Sequence, residues 1–288
     1  MQHTTSRRPS PKNGRSFCHA KSGASTKILF LLLALVLLQM GLRSAAAQEQ
    51  DFGLIATSGF DYSNGSYGTN RNTNVLIGLT GLGLETGNFR FNISIPYMRI
   101  SGRGLLVFDA AGNPIIINRR TAIAPDVRTG FGDLNLSATY TIPAAVLDDF
   151  EVKMTGSVKV PTASVRKRLS TGEADFGMRV DISRQFGIWG PFLTVGYLIP
   201  GKPSTFTLYN TTSVSAGTSI ELSDDLVAVA SYDYDSASKP LVDASHELFG
   251  SLSWFASNRI TLTGYGTAGL SSGSPSFGSG LLASYRFN

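Results

Sequence analysis

The sequence predicts an all-β fold, a transmembrane antiparallel β-barrel of about twelve strands, or about fourteen if both arms of one long connector enter the bilayer. Three observations carry this expectation. Segments near the roughly 9–11 residues of a tilted membrane strand alternate apolar and polar side chains at period two. An export-type leader opens the chain, and no later apolar run is long enough for a spanning helix. Aromatic residues collect near both ends of the segments, where amphipathic rings meet lipid headgroups.

The leader comes first. Arg7, Arg8, Lys12, Arg15, Lys21 and Lys27 form a basic region without an acid, and residues 28–38 are an apolar stretch too short to span. Ala45, Ala46 and Ala47 supply the small residues of a cleavage site. The expected organisation is a signal peptide over 1–47 and a barrel over 48–288. The net charge of +5 belongs to the leader, which with Arg43 holds seven of the 25 basic residues. The remainder has 18 basic against 20 acidic residues, so the charge gives no reason to expect a nucleic-acid partner. Cys18, His3 and His19 leave with the leader, so His246 is the only histidine beyond it. An exported chain without thiols relies on a closed hydrogen-bond network instead of disulfides.

Strand-like segments then follow in order at 53–62, 74–84, 89–100, 130–141, 150–161 and 174–185. Six more lie at 190–200, 210–222, 226–236, 244–255, 260–270 and 276–287. The second mixes leucine and glycine on both faces, which leaves its register open. The fifth is clearest: Val152, Met154, Val158 and Val160 oppose Glu151, Lys153, Thr155, Ser157 and Lys159. In the last, Phe277, Leu281, Ala283, Tyr285 and Phe287 oppose Gly278, Ser284 and Arg286. Short connectors at 86–88, 143–149, 187–189, 223–225 and 257–258 alternate with longer ones, the longest over 102–129. That is the asymmetry of short periplasmic turns and long extracellular loops, and an even strand count returns both termini to the periplasm.

Charge follows the same parity. A basic residue facing lipid at mid-bilayer costs roughly 2–4 kcal/mol, so ionised strand residues face inward. Candidate lumen-lining residues are Arg90, Asp133, Glu151, Lys153, Lys159 and Arg179. Asp181, Glu221, Asp233, Glu247 and Arg286 complete the set. A bore of this size is either a narrow polar pore or a shell plugged by paired charges. In the long connector, Leu105, Leu106, Val107 and Phe108 face Ile115, Ile116 and Ile117 across a turn at 111–113, predicting a small hairpin. It serves as an apolar gate if it folds into the mouth, or as an extension of the wall above the bilayer.

Other constellations are weaker. Arg166, Lys167 and Arg168 suit outer-leaflet phosphates or plain solvation. Asp233, Asp235 and Asp243 lack the spacing of a calcium loop, and no metal or cofactor is expected. His246 is the one base available to a serine hydrolase, but its neighbours Ser245 and Glu247 point to the opposite face of the strand.

Gly130-Phe131-Gly132-Asp133-Leu134, Lys159-Val160-Pro161-Thr162, Ser170-Thr171-Gly172 with Asp175, and Gly190-Pro191-Phe192 occur in order after the long loop. In these stretches, roughly 130–288, the chain resembles the outer-membrane barrel family labelled as transporters of the meta-pathway of phenol degradation. The long insertion over 102–129 and the terminal Asn288 depart from that pattern. The resemblance implies an outer-membrane channel for passive diffusion of small molecules, hydrophobic or aromatic compounds among them, and no enzyme. Two alternatives stand beside it: a closed structural or surface-binding barrel, and a barrel lipid hydrolase using His246. Expected partners are outer-membrane lipid or lipopolysaccharide, the small-molecule permeant, and the barrel-assembly machinery of a Gram-negative-type envelope.

Overall fold

A computed structural model describes residues 52–67, 72–102, 106–108, 114–116, 127–204, 207–238 and 242–287. The leader expected over 1–47 lies outside them, as do Leu105 and Ile117. The described strands begin with β1 (Phe52–Gly65), β2 (Thr73–Thr86), β3 (Phe89–Ser101), β4 (Leu106–Phe108) and β5 (Pro114–Ile116). They continue with β6 (Val127–Phe131), β7 (Leu134–Ile142), β8 (Phe150–Val160), β9 (Asp175–Arg184) and β10 (Trp189–Ile199). β11 (Thr211–Ser223), β12 (Leu226–Asp235), β13 (Ser245–Phe255), β14 (Ile260–Gly269) and β15 (Phe277–Arg286) complete the chain.

Thirteen of these form one antiparallel sheet. β6 and β7 both pair with β3 and are parted only by Gly132 and Asp133, so together they make a single stave. The sheet therefore has twelve staves. It closes because β1 pairs with β15 on one side and with β2 on the other, while β2 pairs with β3. Closure removes the free edges that would leave backbone N–H and C=O groups unsatisfied in lipid. The small hairpin expected in the long connector is present as β4 paired with β5, Leu106 opposite Ile116. Its far boundary moves: the connector ends before Val127, where β6 begins, three residues earlier than the pattern suggests.

Opposed residues in an antiparallel pair share a face, so register fixes which side is inside. Arg90 lies opposite Glu85, Lys153 opposite Asp181, Asp181 opposite Thr194, and Asp233 opposite Ser215 and Glu247. All point inward. The alternate residues, including Leu82, Ile93, Leu193, Leu252 and Leu281, are exposed on the outer wall. This inversion of the soluble pattern, greasy outside and ionic within, is what a bilayer selects.

Rings gather at both rims. At the short-turn end Phe89 packs on Tyr140, Tyr285 on Phe287, and the Arg184 guanidinium lies over both Phe150 and Phe186. At the long-loop end Tyr97 meets Phe131 edge to face, and Tyr234 packs on His246.

β2 resolves the one register left open. Leu76 and Leu82 face out, whereas Val75 and Ile77 face in and contribute to an apolar cluster. Both faces of this strand are apolar, for different reasons. Outside is lipid; inside is another part of the chain.

Candidate functional site

The lumen is the site, and it is layered. At the short-turn end Glu85 bridges two arginines, Oε2 to Arg286 Nη2 at 2.6 Å and Oε1 to Arg90 Nε at 3.3 Å. Glu151 pairs with Lys153 at 2.6 Å. Nearer mid-barrel, Asp181 accepts from Arg179 Nε at 3.1 Å and from the Thr194 hydroxyl at 2.7 Å. Glu221 accepts from the Gln185 amide at 3.1 Å. These groups are all partly exposed.

The mouth is built differently. Lys159 is 2% exposed, with its ammonium 2.7 Å from Asp175 and 3.6 Å from Asp133. The two carboxylates also organise backbone: Asp133 accepts from the Ala163 amide and the Ser170 hydroxyl, and Asp175 from the Gly201 amide. The hydrogen bonds these carboxylates accept offset part of the cost of burying the ionic group.

What this triad anchors is the 161–174 connector. Ser164 starts a tight turn: its hydroxyl accepts from the Lys167 amide, and its carbonyl accepts from the Leu169 amide. That six-to-one closure, with Arg168 at φ 57°, is a helix-terminating turn that reverses the chain. It drives Leu169 down into the bore, where Leu169 packs with Tyr67, Val75, Met98 and Ile100. Burying one such leucine stabilises the loop by about 1.5–3 kcal/mol. Gly130 on the wall makes room, since a Cβ there would stand 2.9 Å from Leu169 Cδ1. The Arg168 carbonyl accepts from Arg128 Nη1 at 3.3 Å, and Lys167 reaches the Thr129 carbonyl at 3.5 Å. Two of the three basic residues expected to face phosphates or solvent therefore touch the barrel wall.

The remaining wall carries acids without cations. Asp233 accepts from the Ser215 and Ser231 hydroxyls, and Glu247 from Ser245. Tyr265 reaches across β15 to donate to Asp61 at 2.9 Å. It can do so because Gly280 lies between them; a Cβ at that position would come within 2.3 Å of the ring. Tyr265 also stacks on Phe249 at 6.0 Å, giving the lumen an aromatic pair.

Of the lining candidates, Arg90, Glu151, Lys153, Glu221 and Arg286 thus lie in the short-turn half, and Arg179 and Asp181 near mid-strand. Asp133 and Lys159 share the mouth cluster, and Asp233 and Glu247 belong to the acidic wall. Sequence reasoning missed Asp175, Glu85, Asp61, Tyr265 and the Leu169 cluster as lumen elements. Parity alone places Asp61 with Ile55 on the inner face, and it was available. No local pattern marks Leu169, because its burial depends on a connector turning inward. For the gate candidates, the backbone of Leu106 pairs with Ile116 and that of Val107 with Ile115 as the hairpin expectation has it, and Phe108 lies opposite Pro114.

His246 points outward. Its Nδ1 meets the Tyr232 hydroxyl and its ring packs on Tyr234, while Ser245 and Glu247 bond each other on the lumen side. The three do not form a relay. Among the described residues no cluster of three or more metal-ligating side chains occurs.

No protein-family model and no curated protein sequence matches the chain. Solved structures do. An outer-membrane channel from Pseudomonas putida F1 is similar over 82% of this chain and 95% of its own, with 12% identity and a TM-score of 0.65. The shared fold is the closed twelve-stave antiparallel β-barrel. The translocator domain of the autotransporter NalP from Neisseria meningitidis covers 88% of this chain and 97% of its own, at 14% identity and a TM-score of 0.48. The CymD monoaromatic hydrocarbon channel covers 83% and 88%, at 11% identity and a TM-score of 0.42. At such identities the likeness concerns fold alone.

Proposed function

We propose that the chain is an outer-membrane channel through which small molecules diffuse passively, hydrophobic or aromatic compounds among them. The observation that carries this reading is the inner face of the closed twelve-stave barrel. Its ionised residues and hydroxyls face a bore, and the inward loop 161–174 packs on β2 and β3 and is tied to β6 and to the Lys159 cluster. Twelve staves lie between the side-chain-filled eight-stranded barrels and the aqueous 16–18-stranded porins. The aromatic preference rests on the family resemblance and on the lumen rings Phe249 and Tyr265. Residues 105–117 are the proposed apolar selector above the mouth.

Liposome swelling with sugars, amino acids and aromatic acids tests the reading. Flux of at least one class, with a rank order altered by deletion of 105–117, is the expected result. A barrel that assembles but passes no solute favours the second reading, a closed structural or surface-binding shell. The packing of Leu169 against the inner wall is the observation on that side.

A further inference from the structure

The bore is electrically lopsided. Strands β10 to β14 contain no lysine or arginine, and among the described residues Lys202 and Arg259 lie in the connectors between them. The lumen cations come from β3, β6, β8, β9 and β15, strands outside that wall, of which β9 and β15 border it. Most of these are paired with acids: Lys153 with Glu151, Arg179 with Asp181, Lys159 with Asp133 and Asp175, and Arg90 and Arg286 together with the single Glu85, while Arg128 donates to the Arg168 carbonyl.

Asp61, Asp233 and Glu247 are held otherwise. Their recorded partners are hydroxyls: Tyr265 for Asp61, Ser215 and Ser231 for Asp233, Ser245 for Glu247. A hydroxyl steadies a carboxylate without cancelling its charge. The stacked pair Phe249 and Tyr265 occupies the same wall, and the faces of aromatic rings also attract cations. A low-dielectric wall of one sign concentrates counter-ions in a narrow channel. Across the ring from β11 and β12, the apolar cluster with Leu169 of loop 161–174 lies on the β2–β3 side, and Asp61, in register with Ile77, lies at its edge.

We propose that permeation follows an eccentric track along the β10–β14 wall, with Asp61 on β1 at its margin across β15, and that Asp61, Asp233 and Glu247 make this track selective for cations over anions. The proposal rests on the channel reading and names the class of solute that the same bore favours.

The experiment is a reversal potential across a KCl gradient, with the full-length processed protein in planar bilayers. The wild type is expected to pass potassium in preference to chloride. The triple variant Asp61→Asn, Asp233→Asn, Glu247→Gln should lower that permeability ratio by about threefold or more, as rings of charge set selectivity in other channels. Glu247→Gln alone, a milder change should the triple variant fail to assemble, should lower it in part. A wild-type ratio at or below unity overturns the proposal, and so does a ratio that neither variant moves. Absence of any KCl conductance would instead sink the channel reading itself, and this selectivity with it.

Discussion

At the scale of single residues, Lys159 shows how the mouth depends on one charge. Its ammonium sits between Asp175 and Asp133, all three nearly sealed from solvent. Lys159→Met removes the cation and leaves two buried carboxylates facing each other. Breaking a buried ionic pair from one side costs roughly 3–5 kcal/mol, so the variant should unfold at lower denaturant in a bilayer titration by that order. Replacing Lys153 should cost far less, about 0–1 kcal/mol, because its pair with Glu151 is half exposed. Equal losses at the two positions would show that burial is not what sets the difference. Lys159 and Asp133 are legible in the sequence as polar members of strands. Their burial is not, because it depends on residues 163–170 folding over them.

At the scale of elements, the 161–174 connector is the piece whose conformation matters most. It descends because a capped turn at Ser164, a reversal at Arg168 and an apolar seat for Leu169 all agree. Leu169→Asp sets a carboxylate among Tyr67, Val75, Met98 and Ile100, where nothing is arranged to receive it. The loop should leave that seat while the staves remain paired. Single-channel recordings are then expected to show a conductance above that of the wild type, with unchanged heat-modifiable migration on gels. A conductance equal to the wild type's would mean that the loop does not narrow the bore. The same packing explains the illegible register of β2. Period two separates faces only when they meet different solvents, and Val75 and Ile77 meet side chains as apolar as lipid.

At the scale of the whole molecule, stability lies in the ring and in its polarity. Leu193 faces out near the middle of β10, and its neighbour Thr194 faces the lumen beside Asp181. Leu193→Arg should destabilise the barrel by about 2–4 kcal/mol in lipid-bilayer unfolding, against a small change for Thr194→Arg. A reversed order would place the bilayer on the wrong side of the wall. This architecture was readable from one sequence because every stave repeats the same two-residue instruction, so errors at single positions average out. Contacts between distant staves are not repeated, and the hydroxyl of Tyr265 on Asp61 is the clearest case. Gly280 and its strand lie between them, and the chain's first and last strands are the two free margins of the sheet until they meet. In an unjoined sheet the phenol has no acceptor there. The bond is thus a fastener that exists only in the finished ring, drawn across the seam where the cylinder shuts.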